Sequence, residues 1–314
     1  MFVSLAGWLQ ERGISFRADA PIAPHLVFRI GGTVSMLVSC STPAQLAAVL
    51  EKLGAGKLPF LVLGGGSNIA FPDGLTRAVV VLTQPAAGGG APSLAPDGLS
   101  LRVDAGMRNQ PFLSWCAANG AGGFEFLSGI PGTLGGAAAV NAGAFGRCLA
   151  DVLLGAETVN AAGKPESVAA GDFAFSYRSS RFKLGSRTLL SLRLRCDPDD
   201  GAAIAQRTRE NLEYRLARHP SYRLASAGCF FKNPLAGGVK TSAGKLIESC
   251  GLKNTVLGDL AVAAEHANFL LNRGQGTFAD LQRLEEKIRT AVAARSGIVL
   301  EREVIYVSPD GKKY

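Results

Sequence analysis

One glycine-rich segment, residues 122–146, limits what this chain can fold into. Its sequence is GGFEFLSGIPGTLGGAAAVNAGAFG, and each glycine inside a helix costs about 1 kcal/mol relative to alanine. Core-type side chains such as Phe126 and Leu134 interrupt the segment, so it is not a linker either. Glycine permits positive φ and close backbone approach, so successive N–H groups can converge on an anion. The segment predicts a ligand-binding loop, and a tight turn packed between two layers is the alternative.

Composition and charge narrow the class of protein. The 314 residues are 47% hydrophobic and 18% charged, which predicts a globular protein of two or three domains. No apolar run reaches the ~18 residues that a membrane span needs, and the first residues lack the basic start of a signal peptide. Six scattered cysteines without a C-x-x-C pair indicate reduced thiols in a cytoplasm, and three distant histidines indicate no metal site. A net charge of +8 suits an anionic small molecule as well as nucleic acid.

The early chain predicts a strand, a helix and a second strand that ends in a glycine turn. Residues 26–40 are strand-like, residues 43–53 have apolar side chains at helical spacing after a Ser-Thr cap, and residues 58–63 form a short apolar strand. That strand runs into GGGSN at 64–68, although the G-x-G-x-x-G fingerprint is absent. Ser67 and Asn68 either donate to a phosphate or cap their own turn, and the sequence leaves both open.

The remaining elements follow from periodicity and turn residues. We expect a loop at 84–98 and a domain boundary near the turn cluster at 197–201. The other predicted elements are strands at 78–82, 99–105, 151–160, 187–196, 266–272 and 298–307, and helices at 109–120, 202–218, 243–253 and 278–296.

Seven motifs, in order along the chain, resemble one enzyme family. They are GGGSN at 64–68, EFLSGIPGTLGGAAAVNAGAFG at 125–146, YRSSRF at 177–182, AGCFFKNP at 227–234, AGKLIESCGLK at 243–253, HANFLLN at 266–272 and LEREV at 300–304. Over roughly residues 25–305 the chain is similar to the UDP-N-acetylenolpyruvoylglucosamine reductases of peptidoglycan synthesis, often called MurB. The distance of about 50 residues between Arg178 and Cys229 resembles the shorter, type II form.

The resemblance implies an α+β fold and a flavin reaction. It implies a two-subdomain, PCMH-type FAD-binding domain over residues 1–198, divided near residue 82, and an α/β substrate-binding domain over 199–314. FAD binds without a covalent link and NADPH is the reductant. Hydride passes from flavin N5 to the enolpyruvyl group of the nucleotide sugar, which becomes UDP-N-acetylmuramate. The implied protein is a cytoplasmic monomer with a small-molecule partner, no nucleic acid and no membrane.

Three catalytic residues are implied by matching these motifs. Arg178 and Glu303 act at the substrate carboxylate, where negative charge develops after hydride addition. The family's proton donor is usually serine, and Cys229 stands at its place. Glu301 competes with Glu303 because strand alternation puts both on one face, but the family places its acid directly before valine, which selects Glu303. The usual arginine after this valine is Ile305 here.

The cysteine at position 229 changes the expected pH dependence. A thiol has a reference pKa of about 8.5, so it gives up a proton more easily than a serine hydroxyl. A thiolate cannot donate, and a positive site lowers a thiol pKa. We therefore expect Cys229 to be protonated at neutral pH and activity to fall on the alkaline side.

The resemblance also assigns binding residues. Glycine loops would supply N–H groups to the FAD pyrophosphate, and their absent side chains would admit the flat isoalloxazine ring. The FAD-binding residues are Gly64, Gly65, Gly66, Ser67, Asn68, Gly129, Ile130, Pro131, Gly132, Gly135, Gly136, Asn141, Gly143 and Ala144. The substrate or NADPH contacts are Tyr177, Lys232, Asn233, Lys245 and Lys253.

Two alternatives have other functions. An oxidase with the same FAD fold is disfavoured by the AGCFFKNP and LEREV motifs. A non-catalytic nucleotide-sugar or FAD-binding protein is favoured only if cysteine in place of serine disables the reaction.

Overall fold

The computed structural model describes residues 2–83, 90–160, 163–185 and 187–314, and it divides into two compact units. The first unit comprises Met1–Asp19, Met36–Gly65 and Ala78–Arg215. The second unit comprises Ala20–Ser35, Gly66–Arg77 and Leu216–Tyr314. The second unit thus takes two early stretches of chain, which the sequence-based boundaries 1–198 and 199–314 do not include. Those boundaries stay predictions.

The described chain mixes helices and short strands, as the predicted α+β class requires. Its α-helices are α1 (Phe2–Glu11), α2 (Pro43–Ala55), α3 (Asn109–Ala118), α4 (Leu134–Ala139), α5 (Gly201–Leu216), α6 (Ala243–Ser249) and α7 (Phe278–Ser296). Its strands are β1 (Ser15–Pro21), β2 (Thr33–Cys40), β3 (Phe60–Leu63), β4 (Ile69–Ala70), β5 (Leu75–Thr83), β6 (Ser93–Leu94), β7 (Ser100–Asp104), β8 (Ala121–Gly122), β9 (Gly143–Ala144), β10 (Arg147–Cys148), β11 (Leu153–Asn160), β12 (Pro165–Ala169), β13 (Arg187–Arg195), β14 (Asp197–Pro198), β15 (Ala225–Cys229), β16 (Leu235–Ala236), β17 (Val239–Lys240), β18 (Val256–Leu257), β19 (Leu260–Val262), β20 (Phe269–Asn272) and β21 (Ile305–Tyr306). In the predicted loop 84–98, residues 84–89 lie outside the described residues, and β6 lies within the rest.

Two of the predicted helices form close to where the sequence indicated them. The hydroxyl of Thr42 accepts the N–H of Gln45 over 3.1 Å at the start of α2, which confirms the predicted cap. Helix α7 has the predicted bounds, begins after the capping residue Thr277 and ends at Gly297, whose φ is +70°. The carboxylate of Asp73 adds a second cap to α7 because it accepts the N–H groups of Phe278 and Ala279 over 2.6 and 3.1 Å.

The first unit is built on β-sheets. It holds most of a four-stranded sheet in the order β1-β2-β5-β3, in which β3 and β5 are parallel. A five-stranded antiparallel sheet has the order β12-β11-β13-β7-β6. Helices α3 and α4 bury Phe112 and Leu134 in one core with strand residues such as Leu192. This packing anchors the glycine-rich segment through α4, which lies in its middle.

The second unit has its own core around α7. Its four-stranded antiparallel sheet has the order β15-β20-β19-β18. Phe28, Ile30 and Ala70, from the two early stretches, are buried in the same core as Phe230 and Leu284. The early stretches are therefore structural parts of this unit.

The predicted final strand at 298–307 is wrong in its extent, because only Ile305–Tyr306 forms a strand. The segment changes partner along its length. Glu301 and Glu303 bond to the chain at 230–232, and Ile305 then pairs with Ile69 of β4. No single neighbouring strand is long enough to continue the ladder, so alternation alone describes this segment poorly.

Candidate active site

The two predicted glycine loops of the first unit meet backbone to backbone. A Cβ atom added to Gly65 would lie 2.4 Å from Cα of Gly132, and one added to Gly64 would lie 2.4 Å from Oγ1 of Thr133. Real Cβ atoms do not approach other atoms this closely, so only glycine fits at either position. The structure therefore brings together two segments that are more than 60 residues apart in the sequence.

Several predicted FAD-binding glycines have a different structural reason. A Cβ atom at Gly66, Gly135 or Gly143 would meet protein backbone or an alanine within 3 Å. Close packing against protein therefore accounts for glycine at these three positions, and their contact with FAD stays a prediction. Gly136 differs, since it is exposed and its added Cβ would meet only Oγ1 of Thr133, at 3.4 Å.

The N–H groups of these loops divide into two sets. At the start of α4, Leu134 donates to Met107 O over 2.9 Å, and Gly135 donates to Ala105 O over 2.8 Å. These donors hold the helix in place and do not serve a ligand. Within the described residues, the N–H groups of Gly65 and Gly132 have no recorded protein acceptor. Backbone donors of this kind suit a phosphate, so the loops fit the pyrophosphate of a dinucleotide.

Asn109 fixes the loop between Ile130 and Gly132, and sequence reasoning missed it. Its backbone N–H donates to Gly132 O over 3.1 Å and its Nδ2 donates to Ile130 O over 3.0 Å. The residue is 1% exposed, and its Oδ1 has no hydrogen-bond partner among the residues that the structure describes. Buried polar atoms rarely stay unsatisfied, so this oxygen marks a position where a bound group or water is expected.

Glu125 braces the same segment from the other side. Its carboxylate accepts the Gly123 N–H over 2.9 Å and two hydrogen bonds from Arg207 of α5, at 3.0 and 2.7 Å. Asn211 of α5 also donates to the Glu125 carbonyl oxygen over 3.0 Å. Charge-assisted, two-point pairs of this kind fix geometry. Helix α5, which the sequence predicted at 202–218 without a role, therefore orders the start of the glycine-rich segment.

Arg178 lies in a tight turn that the glycine-rich segment holds. Ser176 and Ser179 exchange backbone hydrogen bonds of 3.0 and 3.2 Å, which leaves Tyr177 and Arg178 at the tip. The Nδ2 of Asn141 donates to Ser176 O over 3.1 Å, and its Oδ1 accepts the Ala150 N–H over 3.0 Å. Asn141 was predicted as an FAD contact, and these hydrogen bonds give its side chain a positioning role.

The backbone of this turn is strained. Arg178 has a φ of +56°, a left-handed conformation that costs a non-glycine residue about 1–3 kcal/mol. Tyr177 is 45% exposed, and the Arg178 guanidinium carbon lies 5.9 Å from the centre of its ring. Strain that the surrounding structure maintains is often found at functional sites. These features favour Tyr177 and Arg178 as candidate ligand contacts.

In the second unit, Cys229 is the last residue of β15 and is half-buried. It pairs with Phe269 of β20, after Gly228 with a φ of +81°. Asn268 then holds Phe231 at both ends: its Oδ1 accepts the Phe231 N–H over 2.9 Å and its Nδ2 donates to Phe231 O over 2.8 Å. Asn268 was noted only as part of a motif, and its buried amide fixes the chain that follows Cys229.

Glu303 lies beside this chain. Its N–H donates to Phe230 O over 2.8 Å, and its own carbonyl oxygen accepts Nδ2 of Asn68 over 3.3 Å. Two of the three predicted catalytic residues, Cys229 and Glu303, therefore lie on paired segments. Asn68, predicted as an FAD contact, is also a support for the backbone of Glu303.

The two competing acids have different backbone and side-chain partners. Glu301 forms an ion pair with Lys232, and the Lys232 N–H donates to Glu301 O over 2.8 Å. This surface ion pair involves Glu301 alone, and the choice of Glu303 as the acid stays a prediction from its place directly before Val304.

The other predicted substrate contacts lie near the start of α6 or just after that helix. Oδ1 of Asn233 accepts the Ala243 N–H over 2.9 Å, so its side chain helps to hold α6. Lys253 pairs with Glu248 over 2.6 Å, and Lys245 is exposed in the first turn of α6.

Cys229 lies against a small apolar cluster of the second unit. Cys229 packs on Phe269, and the His266 ring centre lies 5.1 Å from that of Phe269. Nδ1 of His266 accepts the Asn268 N–H over 3.2 Å, and burial lowers the pKa of His266.

Within residues 2–83, 90–160, 163–185 and 187–314, no group of three acidic, histidine or cysteine side chains could hold a metal ion. None of the helices described is long and apolar enough to span a bilayer.

Comparisons with known families match both parts of the chain. Residues 219–307 match the family model described as "UDP-N-acetylenolpyruvoylglucosamine reductase, C-terminal domain". Residues 34–168 match the model described as "FAD binding domain". The two matches together cover most of the chain, in the order that the motifs indicated.

Curated relatives match almost end to end. The UDP-N-acetylenolpyruvoylglucosamine reductase of Moorella thermoacetica is 35% identical over 303 residues, which are 96% of each chain. A second reductase of this name, from Symbiobacterium thermophilum, is 35% identical over 94% of this chain and 93% of its own length. The crystal structure of the enzyme from Thermus caldophilus has a TM-score of 0.75 at 28% identity, covering 93% of this chain and 98% of that one.

Proposed function

Since this chain belongs to the UDP-N-acetylenolpyruvoylglucosamine reductase family, we propose how its own residues carry out the family's reaction. The protein is an FAD-dependent oxidoreductase with a PCMH-type FAD-binding domain and a C-terminal reductase domain. It reduces UDP-N-acetylglucosamine enolpyruvate to UDP-N-acetylmuramate in peptidoglycan synthesis. The proposed reductant is NADPH. The observation that carries this conclusion is the 35% identity over 96% of both chains.

The glycine loops of the first unit are the proposed FAD site. The N–H groups of Gly65 and Gly132 would bind the pyrophosphate, with Asn109 holding the second loop in place. FAD held by these loops would provide the hydride-transfer chemistry between NADPH and the substrate's vinyl carbon. The remaining predicted FAD contacts, residues 66–68 and 129–144, stay proposals.

Arg178 and Glu303 are the proposed groups at the substrate carboxylate. Hydride addition to the vinyl carbon moves negative charge toward that carboxylate, and a fixed cation and an acid there lower the barrier. Arginine keeps its charge at all physiological pH values and can bind a carboxylate at two points. The hydrogen bonds around Ser176 support a fixed position for Arg178, and the Glu303–Phe230 bond supports one for Glu303.

Cys229 is the proposed proton donor. Its thiol would give a proton to the carbon next to the one that receives hydride, and the resulting thiolate would recover a proton from solvent. Its support is the position one residue before Phe230, whose carbonyl oxygen accepts the Glu303 N–H. Tyr177, Lys232, Asn233, Lys245 and Lys253 are proposed to bind the nucleotide sugar or NADPH.

A two-part assay tests the function. The purified protein should be yellow, and NADPH oxidation should require the enolpyruvyl nucleotide sugar. A protein that binds flavin and lets air, but not the substrate, reoxidise it would be an oxidase instead. The finer expectations are a monomer in the cytoplasm without a nucleic-acid partner, which light scattering, cell fractionation and salt-dependent DNA binding would test.

A further inference from the structure

The segment that carries Glu303 bonds to Phe230 through its backbone. The side chain of Arg302, in the same segment, makes further contacts that fix it. The Arg302 side chain is 19% exposed, and its Nε donates to Val304 O over 2.9 Å. Its guanidinium carbon lies 3.5 Å from the centre of the Tyr306 ring, a cation–π contact. Arg302 therefore fixes the backbone on both sides of Val304, directly after Glu303.

A buried acid on α7 holds Arg302 and Tyr306. Glu285 is 6% exposed, and its Oε2 accepts Nη1 of Arg302 over 3.3 Å and the hydroxyl of Tyr306 over 2.7 Å. Arg289, one turn further along α7, lies 3.6 Å from Oε1. Burial raises the pKa of Tyr306, so its phenol is a donor throughout the physiological range. A buried carboxylate is costly unless it is paired in this way, so removing one partner has a large effect.

The helix that carries Glu285 is itself firmly anchored. Leu281, Leu284 and Ile288 of α7 are fully buried in the core of the second unit. Asp73 binds the first N–H groups of α7. Glu285 thus connects a firmly packed helix to the segment 302–306, in which only two residues form a regular strand. The connection restrains the position of that segment.

We propose that Glu285 is a positioning residue for the reductase reaction, which holds Glu303 in place beside Cys229 through Arg302 and Tyr306. This inference rests on the proposed role of Glu303. Glu285 contacts no reacting atom and acts only through the segment at 302–306.

The experiment compares Glu285→Gln with Glu286→Gln in the FAD-loaded protein. Glu286 is the neighbouring, exposed residue, and it contacts Thr290 of its own helix. Stopped flow would measure flavin reduction by NADPH and flavin reoxidation by the substrate separately, each per mole of bound flavin. Thermal unfolding and substrate binding by calorimetry would be measured on the same samples.

We expect Glu285→Gln to slow the substrate step by about 10- to 100-fold, since a displacement of ~1 Å can cost that much. The NADPH step should stay within about twofold of the parent protein, and Glu286→Gln should change neither. An unchanged substrate step in Glu285→Gln would overturn the proposal, as would an equal loss in both steps.

A second variant separates positioning from stability. Glu285→Gln leaves the charge of Arg302 uncompensated, which itself destabilises the fold. The double variant Glu285→Gln with Arg302→Met removes both charges, so its melting temperature should recover while its substrate step stays slow. Recovery of both would contradict positioning, because stability alone would then explain the defect.

The variant Glu303→Gln distinguishes this inference from the proposed function. If Glu303→Gln is slow and Glu285→Gln is normal, the positioning role fails and the role of Glu303 stands. If Glu303→Gln reduces the substrate normally, the proposed role of Glu303 fails, and the positioning inference fails with it.

Discussion

The backbone N–H of Glu303 donates to the carbonyl oxygen of Phe230 over 2.8 Å, so the proposed acid lies next to the chain that leaves Cys229. The two residues are 73 positions apart in the sequence and belong to the same compact unit. A proton donor and a carboxylate-binding acid must act on neighbouring atoms of one enolpyruvyl group. The backbone pairing supports these proposed roles of Cys229 and Glu303.

Replacing Cys229 by serine should change the alkaline side of the pH profile. A thiol loses its proton near pH 8.5, whereas a serine hydroxyl does not ionise in this range, so Cys229→Ser should remove the alkaline fall in kcat. Cys229→Ala should slow the substrate step by about 100-fold or more, since positioned acids contribute 10²–10⁴. The control is Cys250→Ser, on another half-buried thiol. An alkaline limb that is the same in the parent protein and in Cys229→Ser would rule out the thiol as its source.

Gly65→Ala should damage the proposed FAD site. The added Cβ would lie 2.4 Å from Cα of Gly132, so one of the two loops must move. We expect at least about tenfold weaker FAD binding by fluorescence titration, with about 1–3 kcal/mol lost in the free energy of unfolding. Gly171→Ala is the control, because an added Cβ there meets nothing within 4 Å. Normal FAD affinity in Gly65→Ala would show that the contact between the loops is not needed.

Asn141→Ala should release the turn that carries Arg178. The variant loses the hydrogen bonds to Ser176 O and from the Ala150 N–H, and the left-handed backbone of Arg178 loses its support. We expect a reduced kcat for the substrate and a stability loss of about 1–3 kcal/mol. Asn119→Ala is the control, since Asn119 is exposed and its side chain donates to the Trp115 carbonyl oxygen of the helix that it ends. A fall in FAD affinity without a change in kcat would instead favour a direct cofactor contact.

Asp73→Ala should destabilise the second unit. Asp73 accepts two N–H groups at the start of α7, where a carboxylate also interacts favourably with the helix dipole. Loss of such a cap costs about 1–2 kcal/mol in the free energy of unfolding, which urea denaturation would measure. Asp310→Ala, in an exposed turn, should have little effect. Equal stabilities of the two variants would mean that Thr277 alone caps the helix.

His266 should make the protein less stable in acid. Burial lowers the pKa of His266 below its unfolded value of 6.5, so the unfolded chain binds this proton more readily. The free energy of unfolding is therefore unaffected by this group above about pH 6.5 and falls as the pH drops through the folded pKa. His266→Gln should have a shallower loss between pH 7 and 5, and His25→Gln is the control. An identical slope in parent and His266→Gln would exclude this residue as the cause.

Local sequence signals were sufficient for the best-defined helices. The cap at Thr42 is a short-range feature that the sequence indicated, and α7 forms at the predicted bounds 278–296. The final strand could not be predicted in this way. Whether residues 301–305 form one strand depends on which neighbours they find, and here the neighbour changes between Glu303 and Ile305.

The candidate site was predictable only in part, for a similar physical reason. A glycine in the sequence indicates that some group approaches the backbone closely, but it does not identify that group. The packing of Gly64 and Gly65 on the second loop was therefore not predicted. Asn109, Asn268 and Glu285 were missed as supports because their partners lie 21, 37 and 17 to 21 positions away. The neighbouring sequence does not show that a polar residue will be buried, because its burial depends on a hydrogen-bond partner that is distant in the chain.

The discontinuous second unit has a consequence for biosynthesis. Phe28, Ile30 and Ala70 leave the ribosome long before Phe230 and Leu284, with which they share a core. These apolar stretches must wait, exposed to solvent or to chaperones, until most of the chain has been made. A fragment truncated to residues 216–314 would lack them and the Asp73 cap, so we expect that it does not fold as an autonomous domain.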